Sequence, residues 1–114
     1  MSELLEKQIK FTLMIAELIG YAYRSGYQLT FGDAYRDPRV HGDFGEKKSY
    51  AAAKSVHKLR LAVDFNLFKH GKLLTGIQAE EAHHDLHDYW DMLGGAPRIE
   101  KDLNHYSMEM YGVR

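Results

Sequence analysis

The chain contains no cysteine, which removes disulfides, thiolate metal ligands and a cysteine nucleophile together, and fits synthesis in the cytoplasm. Any metal must be held by histidine and carboxylate. Charge of one sign is lacking too: 15 Lys and Arg stand against 16 Asp and Glu, a net of −1. With no general positive field to offer a phosphate backbone, nucleic acid is not expected as a partner. Long apolar runs are also absent. The stretch Phe11 to Ile19 is broken by Thr12 and Glu17 and is too short to span a bilayer, so membrane insertion is not expected. It follows Glu3, Glu6, Lys7 and Lys10 without a small-residue cleavage site, so no secretory signal peptide is expected either. Gly42 and Gly45 are not directly followed by the Lys-Ser or Lys-Thr of a phosphate loop and lack its strand-to-helix context, leaving nucleotide hydrolysis unsupported.

What remains is an ordinary globular composition: 114 residues, 45% hydrophobic and 27% charged, enough for one domain over 1–114 with a real core. Leu4, Phe11, Ile15, Leu18 and Ala22 recur at helical spacing, predicting a helix over 3–24 with Ser2 as N-cap and Gly26 as its stop. Tyr27, Leu29 and Phe31 alternate with polar or small residues, predicting a strand over 27–32 with one buried face. A charged loop with Pro38, Gly42 and Gly45 follows over 33–48 and is expected to border a site. Leu61, Val63, Phe65 and Leu67 mark a second strand, with a turn at His70-Gly71 and a return over 72–74. Ala82, Leu86, Tyr89 and Leu93 place a second long helix over about 78–93, stopped by Gly94-Gly95. Tyr106, Met108 and Met110 alternate as a last strand, with His105 and Ser107 on its other face. The order implies an α+β domain, a small antiparallel sheet flanked by two longer helices.

Seven histidines are available as ligands. Asp64 is the most telling carboxylate, because a charge in an apolar strand is costly unless it faces solvent or meets a cation. His83 and His87 have the four-residue spacing of two zinc ligands, but His84 stands where the His-Glu-x-x-His motif has its glutamate, so a packing or solvated role is expected for the pair. His41 is expected to be an exposed loop residue, and Trp90 a core residue. Ser55 and His57 are too close along the chain to serve as nucleophile and base without a third group.

Ser55-Val56-His57, Ala62, Asp64 and Asp102-Leu103-Asn104-His105 resemble, in order, the pattern of the zinc D-alanyl-D-alanine carboxypeptidases and L-alanyl-D-glutamate endopeptidases, a family that includes phage endolysins. The likeness covers about residues 27–110. It implies that His57, Asp64 and His105 bind Zn2+, that Asp102 is the catalytic base acting on the water at the metal, and that Arg36 and Ser55 meet the substrate. Arg60 departs from a position where the family often has glycine, and Tyr35-Arg36-Asp37 only approximates its Tyr-Arg-Ser or Tyr-Arg-Thr. The implied activity is peptidase action on the stem peptide of peptidoglycan, by a monomer made in the cytoplasm and acting at the wall after phage or prophage release. The alternative is a non-enzymatic, metal-stabilised module that binds wall peptide. Three residues of straight strand would hold Asp102 about 10 Å from His105, so shared chemistry requires a turn or bulge at Leu103 and Asn104.

Overall fold

A computed structural model describes residues 1–35, 37–41, 43–45 and 55–114. Helix α1, Glu3–Arg24, begins where the Ser2 hydroxyl accepts the Leu5 N–H at 3.1 Å, with Glu3 and Glu6 in the first turn against the helix dipole. It stops at Ser25, and Gly26 takes the left-handed conformation at φ +91°. Its buried face is Phe11, Met14, Ile15, Leu18 and Ala22.

Strand β1, Gln28–Phe31, runs antiparallel to the long strand β2, Ala62–Lys69. Between them lie the helical turn α2, Pro38–His41, inside the expected loop, and a 3-10 turn, Val56–Leu59. Strand β3, Lys72–Leu73, completes the hairpin through His70 and Gly71, both at positive φ. Helix α3, Gly76–Leu93, ends on Gly94 in the left-handed region, and β4, His105–Ser107, closes the sheet. β2 is the central strand. The backbone of Asp64 bonds Gly32 and Asp33 beyond β1, whereas the Phe65 N–H donates to Asn104 and the Leu67 carbonyl accepts from Leu74. Thus β1 takes one edge of β2, while β3 and β4 share the other.

One core joins both helices to this sheet, with Leu18, Leu61, Phe65, Leu67, Leu86, Trp90 and Tyr106 at its centre; each such side chain contributes roughly 1.5–3 kcal/mol by leaving water. The architecture is the expected α+β one. Two details differ. β1 does not bury its apolar face, since Leu29 is only half-buried and Phe31 is 63% exposed; it is an edge strand, and its ring contact with Phe65 covers one side only. The last strand ends at Ser107 instead of running to Met110, and all three of its residues are buried, because α3 covers one side and Asp64 faces His105 on the other.

Candidate metal centre

The 3-10 turn delivers His57. Ser55, in extended conformation, accepts the His57 N–H on Oγ at 3.2 Å and caps the turn. Arg60 closes it in the left-handed region at φ +57°. The Gln8 side-chain amide donates to the Leu59 carbonyl at 2.9 Å, fastening the turn to α1. His57 Nδ1 lies 2.8 Å from the Ala34 carbonyl oxygen. A carbonyl only accepts, so the proton of a neutral ring sits on Nδ1 and the bare Nε2 faces inward.

Asp64 on β2 and His105 on β4 are cross-strand partners. His57 Nε2 is 3.2 Å from Asp64 Oδ1 and 3.2 Å from His105 Nδ1, and His105 Nδ1 is 3.3 Å from Asp64 Oδ1. The three atoms form a nearly equilateral triangle. Nitrogen and oxygen ligands about 2.0–2.1 Å from a tetrahedral ion stand about 3.3–3.4 Å apart, so the triangle has the dimensions of one face of such a site. Three acceptor atoms this close repel one another unless positive charge sits among them, as protons on the imidazoles or as a metal ion. Burial pushes the Asp64 carboxyl up, but the His105 and His57 rings, which in their protonated form donate hydrogen bonds to it and carry positive charge, outweigh burial and hold the carboxyl well below the usual range. The buried His57, Asp64 and His105 group can hold a metal ion.

Asp102 comes to the rim of this group. The Asp102 N–H donates to the Ile99 carbonyl at 2.8 Å, and the His105 N–H returns to the Asp102 carbonyl at 3.1 Å, with Leu103 and Asn104 in the turn between. The bend brings Asp102 Oδ2 to 3.9 Å from His105 Nδ1, and its side chain remains 51% exposed. A solvent-facing carboxylate beside three inward ligand atoms is placed to exchange protons with water at the centre.

Of the remaining sequence candidates, Ser55 is buried and its described bond points inward to His57, while Arg36 lies outside the described residues. Trp90 is fully buried and donates from Nε1 to the Ser107 carbonyl at 3.0 Å. His83 and His87 are core residues, not solvated ones. His83 Nδ1 meets the Tyr106 hydroxyl at 2.7 Å, and His87 Nε2 meets the Leu103 carbonyl at 2.7 Å. Burial, aided by the neighbouring His87 and His84, lowers the His83 pKa to about 4. Burial also lowers that of His87, opposed by its bond to Leu103. Three parts of the site had not been foreseen: the Ala34 carbonyl, the left-handed Arg60, and Gly32, where any Cβ would stand 3.1 Å from Asp64 Cβ. Only Arg60 left a trace in the sequence, as the residue in a place where the resembled family often has glycine.

No protein-family model, curated protein or solved structure matches this chain.

Proposed function

We propose that the chain is a zinc peptidase that cleaves the stem peptide of peptidoglycan, in the manner of the carboxypeptidases and endolysin endopeptidases its motif resembles, and that it serves phage or prophage lysis. The observation that carries the reading is the triangle of His57 Nε2, Asp64 Oδ1 and His105 Nδ1 with the exposed Asp102 carboxylate 3.9 Å from its His105 corner. Two histidines and one carboxylate favour zinc over calcium or magnesium, which take oxygen ligands in greater number. A zinc ion held there supplies Lewis-acid polarisation of a peptide carbonyl and acidifies water toward a pKa of about 7.

The chain's own groups divide the remaining work. The Ala34 carbonyl orients the His57 ring, and the turn bond to Asp102 fixes the backbone from which the buried His105 ring projects. Asp102 takes the proton of the attacking water on Oδ2 and gives it to the amine nitrogen as the C–N bond breaks, so no covalent intermediate is required. Arg36 is the proposed fork for a stem-peptide carboxylate.

The test is digestion of purified peptidoglycan with the zinc-loaded protein and with Asp102→Ala, scored by new amino termini. The wild type is expected to release them and Asp102→Ala to lose at least about 100-fold in rate while keeping its zinc. Equal inactivity of the two would leave a wall-peptide binding module in place of an enzyme. His57→Ala is expected to lose the bound equivalent and His83→Ala to retain it; the reverse result would move the metal to the helix.

A further inference from the structure

We propose that His87, supported by His83, is a positioning residue of the metal centre: from α3 it grips both sides of His105 and sets the bend that brings Asp102 to the ligands. The inference rests on the metal-binding reading above, though its geometric part stands without it. His87 Nε2 donates its proton to the Leu103 carbonyl at 2.7 Å, inside the Asp102 to His105 turn. The same ring stacks on Tyr106 with centroids 4.2 Å apart and planes 13° from parallel. The hydroxyl of Tyr106 is in turn met at 2.7 Å by His83 Nδ1, one helical turn earlier on α3. Leu103 and Tyr106 flank His105 in the chain, so α3 holds the ligand from two residues before it and one after it.

The chemistry of His87 fits this use. Its side chain is 99% withdrawn from solvent, at 1% exposure, and Nδ1 has no hydrogen-bond partner among the described residues. A neutral ring with its proton on Nε2 leaves Nδ1 as a bare lone pair that requires no donor, and commits the single proton to Leu103. An apolar residue would fill the space equally well; what histidine adds is a donor aimed at one carbonyl. Without it, the Leu103 carbonyl would be left without its bond, and the turn would keep only its own 3.1 Å hydrogen bond and the backbone bonds of Asn104 to Phe65 and of Asp102 to Ile99.

Glutamine places a donor nitrogen near the position of Nε2, whereas methionine matches the volume without a donor. In His87→Met the amides of His105 and Phe65, which report the turn through their bonds to Asp102 and Asn104, are expected to exchange with deuterium at least about ten-fold faster, and in His87→Gln within about three-fold of wild type. Zinc affinity, measured against a chromophoric chelator, is expected to fall about ten-fold or more in His87→Met and to be largely restored in His87→Gln. Equal exchange in the two variants overturns the proposal. Faster exchange in His87→Met with unchanged zinc affinity confines His87 to the fold and also overturns it. A wild type that binds no zinc refutes the metal reading, and the exchange rates then decide the grip alone. Should His87→Met fail to fold, nitrogen chemical shifts of the wild-type ring decide: protonation on Nε2 is expected, and a proton on Nδ1 overturns the assignment.

Discussion

Arg60 occupies a backbone conformation that ordinary side chains avoid, at φ +57° and ψ +36°. The left-handed region costs a residue with a Cβ roughly 1–2 kcal/mol, and here the guanidinium recovers part of that by lying 4.1 Å from the Tyr35 ring centre, worth about 0.5–1 kcal/mol at an exposed site. Arg60→Ala keeps the strain and loses the ring contact, so it is expected to be destabilised by about 1 kcal/mol. Arg60→Gly removes the strain as well and is expected to stay within about 0.5 kcal/mol of wild type. Urea unfolding of the two variants measures the order; alanine as stable as glycine would contradict it. The same residue marks how far single positions can be read from sequence. Asp64 is legible because a carboxylate in an apolar strand needs a reason, and His57 because of its place in a motif. The Ala34 carbonyl that selects the His57 tautomer carries no side-chain signature, being backbone brought from another segment.

Elements were read more fully than their joints. The bounds of α1 follow from apolar spacing and two end signals, Ser2 and Gly26, all of them local. The turn at Leu103 and Asn104 was legible by a different route, since Asp102 can approach His105 only if the chain bends there. The buried stripe of α3 was read incompletely. Ala82, His83, Leu86, His87 and Trp90 form it, and hydrophobic periodicity discounts histidine although a neutral, hydrogen-bonded ring packs like an aromatic one. The C-terminal joint of α3 is equally demanding. A Cβ on Gly95 would overlap the Trp90 indole, which is fully buried and cannot swing aside. Gly95→Ala is therefore expected to cost about 1–3 kcal/mol, to lower the melting temperature by several degrees, and to shift Trp90 fluorescence as its bond to Ser107 is disturbed. An unchanged melting curve would mean that the helix end can move away from the indole.

Taken as a whole, the molecule trades acid stability for the histidines it buries. The α+β arrangement is legible because alternating and helical periods assign each segment its buried side, but periodicity does not say which titratable groups share that side. His83 has a folded pKa of about 4, below its unfolded value near 6.5, so the unfolded chain binds the proton more readily. Folding stability is then complete above about pH 6.5 and is lost as the pH falls toward 4. His83 alone accounts for about 2 kcal/mol between pH 7 and pH 5, and His87, shifted in the same direction by burial, adds to the loss. Asp64 works in a separate window. Its carboxyl is held below the usual range, so its contribution is present above the unfolded carboxylate value near 4 and is lost only below it, as the pH falls through the folded pKa. Urea unfolding of the metal-free protein, with a chelator present throughout, isolates these terms from metal loss. The expected result is a free energy of unfolding that falls by 2 kcal/mol or more between pH 7 and pH 5, in keeping with the linkage slope. A flat profile over that interval would show that His83 is protonated as readily in the folded chain as in the unfolded one, and that the Tyr106 hydroxyl is not paired with a neutral ring.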